Sequence, residues 1–211
     1  NKDNITNLNV LTEGVKNLAY DADNTYSVPY FWGSVGIVYD STKVSKQDVE
    51  SQGFNVLRNE KYKGRLYMYD SERDSFMIAL KALGYSMNTD NAKELKAAYE
   101  WLINQKKEMS PVYVTDEVID GMISGEKDMA VVYSGDAAYI KSENPNMEYY
   151  EPLEGTNVWC DAMVIPKNAQ SPELAEAFIN FCLEEETALD NSMTVGYSSP
   201  VDSIYQMLKD G

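Results

Sequence analysis

Apolar positions along the chain switch repeatedly between a period of two and a period near 3.6, the marks of strands and helices. The run from Tyr26 to Asp40 is dense in β-branched and aromatic residues. It predicts a strand, a break at Gly33 and a second strand. Gly33, Ser34 and Gly36 are small enough for close backbone approach. Shorter strand-like runs follow at Arg65–Tyr69, Val112–Val114, Asp128–Tyr133, Met147–Tyr150 and Val158–Ile165.

Between them lie helical stretches. One opens at Asp70 and carries Phe76, Ala79, Leu80 and Leu83 on one face, with Gly84 as its stop. Asp90 caps the next, through Gln105, with Leu95, Ala98, Tyr99 and Leu102 in register. Thr115 or Asp116 caps a short helix ending near Gly125, and Ser134-Gly135-Asp136 precedes another. Ser171-Pro172 is an N-cap and first-turn pair, followed by the stripe Leu174, Ala177, Phe178, Phe181 and Cys182. A further helical stretch follows Glu184 and stops at Gly196, and the segment after Pro200 begins as a helix. Residues 1–25 read as irregular around an apolar patch at Leu8–Leu11. Residues 41–64 read as polar and loop-rich, and Pro152–Gly155 as a turn. Alternating short strands and helices make the chain α/β.

Composition narrows the function classes. The 211 residues carry a net charge of −16 with no histidine. Such acidity repels nucleic acid and anionic membrane surfaces and favours cations. No apolar run reaches the roughly 18 residues of a membrane helix, and no signal-peptide pattern opens the chain. An exported protein would have lost that segment already. Cys160 and Cys182 match no metal spacing and read as two unpaired, mostly buried thiols. No cofactor or metal is expected. Phosphate-cradling glycine loops and nucleophile elbows are absent, and without histidine general-base work would fall to carboxylates or lysine.

The sharpest chemical signal is Val158-Trp159-Cys160-Asp161. Residues two apart on a strand share a face, so the Trp159 indole and Asp161 carboxylate stand side by side. An indole face attracts cations and a carboxylate accepts their N–H bonds, a combination suited to an organic ammonium. The competing reading is a buried tryptophan beside a helix-capping carboxylate. Tyr133 ends a strand, Tyr197 follows a helix stop, and Asp70, Ser71 and Asp74 open a helix directly after a strand. Ligands of open α/β sheets gather at strand carboxyl ends, where these residues fall. Capping, the helix dipole and core packing are the structural alternatives for each.

Six ordered blocks carry a family resemblance. They are Tyr26–Gly33, Tyr62-Lys63-Gly64, Gly84-Tyr85-Ser86, Val158–Asp161, Val164-Ile165-Pro166-Lys167 and Gly196-Tyr197-Ser198-Ser199-Pro200. From about Ile5 onward the chain resembles the spermidine/putrescine-binding proteins of bacterial polyamine ABC transporters, the PotD type. The resemblance implies a two-lobe periplasmic-binding-protein type II fold, with residues 39–157 as a complete second lobe. Residues 1–38 and 158–211 would be a partial first lobe with the crossover strands, and both ends would be cut from something longer.

The same resemblance implies a polyamine ligand, an ABC permease as partner, no catalysis, and an extracellular or periplasmic location with tethering as a lipoprotein or permease fusion. By position, Asp161 would pair with an ammonium and Trp159 would stack on methylenes. Tyr133 stands where the family often has tryptophan, and Tyr197 matches a site tyrosine. Asp74 replaces an amine-binding glutamate with a shorter carboxylate. Ser71 replaces an aspartate of some members, while Asp70 matches a commonly acidic position. Two other classes stay open: a carboxylate-dependent enzyme on a cationic substrate, and a sensory or interaction module fused to a membrane protein.

Overall fold

Thirteen consecutive residues, Val28–Asp40, form one uninterrupted strand, β1, in the computed structural model, which describes residues 2–210. The break expected at Gly33 does not occur. The glycines of this strand serve proximity instead: a Cβ at Gly36 would lie 2.5 Å from Cζ of Tyr149. The chain divides into two compact units. One takes residues up to Gly33 and from Val158 onward, the other Ser34–Asn157.

The Ser34–Asn157 unit is built on a mixed sheet. Its strands are β1, β2 (Leu66–Tyr69), β3 (Val112–Val114), β4 (Met129–Tyr133) and β5 (Met147–Tyr150), in the order β3-β2-β4-β1-β5. β2 runs parallel to both β3 and β4, and β1 runs antiparallel to β4 and β5. In this register Tyr133 faces Val35, and Leu66 faces Met129. The parallel pair β2 and β4 therefore finishes at one edge, which brings Tyr69 and Tyr133 to the same end of the sheet.

Helices α1 (Lys46–Gln52), α2 (Glu72–Ala82), α3 (Ala92–Met109), α4 (Glu117–Ile123) and α5 (Ser134–Glu143) complete the unit. Two caps differ from expectation by one residue. Ser71, not Asp70, caps α2, and Asn91, not Asp90, caps α3; in each case the side-chain oxygen accepts a backbone N–H of the first turn. The apolar stripe of α3 is also displaced. Ala98, Trp101 and Met109 are buried while Tyr99 is exposed, so the core selected a neighbouring face of a helix that is apolar on more than one side.

Residues 41–64 depart furthest from the sequence reading. Ser45 caps α1, and 3-10 turns at Gly53–Arg58 and Glu60–Tyr62 follow. Phe54, Val56, Leu57 and Tyr62 are sealed into the core with Ile37, Leu66 and Met68. A period near three over so short a span is hard to tell from an aperiodic loop.

The other unit holds β6 (Val158–Met163), α6 (Pro172–Cys182), α7 (Glu185–Val195) and α8 (Asp202–Asp210). Within the stretch read as irregular, Lys2–Asn4, Thr6–Val10 and Glu13–Val15 form short 3-10 turns, and residues 16–25 hold no helix or strand. Ile5, Leu11 and Val28 pack with Ile179, Leu183, Ala188, Val201 and Ile204. The expected stripe of α6 is only partly inside. Ile179 and Cys182 are buried, whereas Leu174, Phe178 and Phe181 are 70%, 60% and 51% exposed. Asp21 anchors the approach to β1 by accepting backbone N–H bonds from Thr25, Tyr26 and Ser27 and the Ser27 hydroxyl at 2.7–2.9 Å. Desolvation works against its charge, but these donors outweigh it and hold the carboxyl below its ordinary range.

Two outcomes follow from this packing. Phe54→Ala should lower unfolding free energy by about 3–5 kcal/mol in a urea titration, the cost of emptying a full aromatic site. Asp21→Asn should destabilise the protein at neutral pH. Because the folded-state pKa of Asp21 is depressed, its contribution is complete above the unfolded value of about 3.9. The gap between wild type and variant should close as pH falls below that value, measured by thermal unfolding across pH.

Candidate functional site

Two clusters of the expected residues form, one in each unit. In the Ser34–Asn157 unit the carboxyl ends of β2 and β4 set the geometry. Ser71 follows β2 directly, and its hydroxyl accepts the Asp74 N–H at 3.3 Å. That cap fixes the first turn of α2 and directs Asp74 toward the end of β4. There the Tyr133 hydroxyl donates to Oδ2 of Asp74 at 2.7 Å. Asn157 Nδ2 donates to Oδ1 at 3.3 Å. The Asp74 side chain is thus held at both oxygens, and the residue is 4% exposed.

The Tyr133 ring packs against Tyr69, with centroids 4.7 Å apart and tilted by 58°. The Tyr69 hydroxyl in turn donates to Asp136 at 3.2 Å, at the start of α5. Two phenols and two carboxylates therefore interlock at the sheet edge. Asp70 lies outside this set. It is exposed, and its backbone N–H donates to Val114.

In the other unit, Trp159 and Asp161 lie two residues apart in the unbroken strand β6, and so on one face of it. Trp159 is half-buried and Asp161 exposed. Tyr197 meets the indole edge to face, with centroids 4.8 Å apart and planes at 84°. Such a T-shaped pair is a favoured aromatic arrangement and makes a rigid apolar surface. Gly196, at φ 76°, ends α7 and turns the chain into the Tyr197 loop. Trp32 anchors that loop: its N–H and C=O bond the backbone of Ser198, and its indole N–H donates to Ser199 O at 3.2 Å.

The Tyr20 phenol is pushed up to about 12, first by desolvation and then by Cys160, Asp21 and Asp161. Burial, and secondarily Asp161, also raises the Cys160 thiol. Neither cysteine is bonded to the other. Among the described residues no group of histidine, cysteine, aspartate and glutamate side chains is arranged to hold a metal, and no helix is long and apolar enough to cross a membrane.

The structure thus brings Asp74 to Tyr133, and Trp159 to Tyr197. It spends the Ser71 hydroxyl on a helix cap and leaves Asp70 to the side. Three residues of these clusters escaped sequence reasoning: Tyr69, Asp136 and Asn157. Tyr69 and Asp136 flank residues already singled out, and their strand-end positions were the available signal. Asn157 had none, because its partner is 83 residues away.

This architecture, an α/β chain passing from one unit into another and back, has close counterparts. The family of bacterial extracellular solute-binding proteins matches residues 1–210. The spermidine/putrescine-binding periplasmic protein of Salmonella typhimurium is 35% identical over 201 residues, covering 94% of this chain and 56% of that protein. The solved structure of the PotD substrate-binding protein of a spermidine/putrescine ABC transporter from Streptococcus pneumoniae superposes with a TM-score of 0.84 at 32% identity. It covers 98% of this chain and 63% of its own. A PotD lipoprotein of Treponema pallidum gives a TM-score of 0.83 at 27% identity, over 97% of this chain and 66% of its own.

The chain belongs to the bacterial extracellular solute-binding proteins and has their periplasmic-binding-protein α/β fold. That family is one of binding proteins, not enzymes. The chain spans about half the length of the curated relatives it matches.

The raised Cys160 thiol gives a simple check on the Trp159 strand. Its alkylation by iodoacetamide at pH 8, followed by mass spectrometry, should be slower than that of a small free thiol, since less of it is thiolate.

Proposed function

We propose that this chain is the ligand-capturing part of a substrate-binding component of an ABC importer, with a polyamine, spermidine or putrescine, as its cargo. Trp159, Asp161 and Tyr197 are the candidate ligand contacts of one unit, and Asp74 and Tyr133 those of the other. Asp70 is a peripheral acidic group, and Ser71 acts through the cap that orients Asp74. The relatives' names support the ligand class. The observation that carries the reading is the rigid Trp159–Tyr197 pair on the strand face that presents the Asp161 carboxylate.

A polyamine needs carboxylates for its ammonium groups and apolar surface for its methylenes, and this face offers both. Exposed ion pairs are weak in water, so affinity must come from desolvating the amine against the aromatic surface. The acidic chain attracts a polycation at long range. An ABC permease is the partner, and the protein works outside the cytoplasmic membrane, tethered as a lipoprotein or a permease fusion. The lipoprotein relative supports the tether.

Calorimetry of the full-length protein with spermidine and putrescine tests this. Saturable binding of at least one amine is expected, and Asp161→Asn should weaken it by up to about 1 kcal/mol, as for loss of one partner of an exposed ion pair. No binding of either amine at millimolar concentration would overturn the proposal. An unchanged dissociation constant in the variant would remove Asp161 from it.

A further inference from the structure

The Asp74 carboxylate is held from two sides, and the second holder is unusual. Asn157 is the last residue of its unit, immediately before the chain passes into β6. Its own backbone is pinned: its carbonyl accepts the Val35 N–H at 3.1 Å. The neighbouring Thr156 hydroxyl donates to the Val35 carbonyl. Val35 is in turn the second residue of the unit, where β1 enters it. A single pair of backbone segments thus carries the chain in and out, and from that pair the Asn157 amide reaches Asp74. Asn157 is only 8% exposed, so its side chain cannot satisfy itself with bulk water.

We infer that Asn157 is a positioning residue for amine recognition, acting through Asp74 and setting its preference for a cationic amine. This rests on the proposed polyamine reading and deepens it. An ionised carboxylate offers about four lone-pair directions. The Tyr133 hydroxyl takes one on Oδ2 and the Asn157 amide takes one on Oδ1, which locks the plane of the carboxylate. The remaining directions are left for ammonium N–H donors, with no rotamer to order when the amine arrives.

The lock is needed because Asp74 has a short side chain, whose placement depends on its two holders. Asn157 is suited to its part because its amide is a neutral donor. A lysine or arginine there would neutralise the carboxylate and remove its attraction for a cation.

A double-mutant cycle on the full-length protein tests this, with calorimetric titration of spermidine and putrescine and a thermal melt of each variant. Asn157→Ala and the near-isosteric Asn157→Leu should each raise Kd about five- to tenfold, the size of one lost net hydrogen bond. In an Asp74→Asn background the same changes should have little further effect, because their route to the ligand is gone. A generally structural role would instead weaken binding by the same factor in both backgrounds, and that result overturns the inference. So does an unchanged Kd in folded Asn157→Leu. If wild type binds neither amine, the polyamine reading itself fails. If wild type binds and Asp74→Asn does not weaken it, the role of Asp74 fails and Asn157 falls with it.

Discussion

A carboxylate removed from water must be given hydrogen-bond donors, and that requirement organises the Ser34–Asn157 unit around Asp74. Its two donors and the cap that orients it come from three places in the chain. The Ser71 cap sets the first turn of α2, Tyr133 reaches in from the end of β4, and Asn157 reaches in from the segment leaving the unit. The sheet order makes this possible, because parallel β2 and β4 end at one edge. Antiparallel β1 then brings Val35 opposite Tyr133. Remove that register and the acid loses its holders.

The other unit meets a different constraint. Its paired aromatics, Trp159 and Tyr197, sit on a strand and a loop, and loops are soft unless tied down. Trp32 supplies the tie through two backbone bonds and its indole N–H. Tyr197 is therefore presented to Trp159 in a set orientation, and Asp161 projects beside a surface that needs no ordering. In both units the chemistry-bearing groups are held by neighbours that do not themselves carry charge.

Membership of the solute-binding family rests on a match that runs over residues 1–210. Extended exposed apolar side chains on α6 contrast with the well-sealed core of the Ser34–Asn157 unit. The core of that unit is continuous across its sheet and α2, although Leu153, Tyr99 and Ile103 stay outside it.

The α/β class, most strand positions, the helix stops at Gly84 and Gly196, and the pairing of Trp159 with Asp161 on one face were all legible in the sequence. Each rests on local rules: side-chain period, glycine conformation, and alternation along a strand. Tertiary structure alone decided which face of α3 and of α6 turned inward, since both helices are apolar on more than one side and only neighbours choose. It alone recruited Phe54, Val56 and Leu57 from an apparent loop. Asn157 shows the same limit most plainly, because its bond to Asp74 closes a loop of 83 residues and no local pattern encodes a contact that distant.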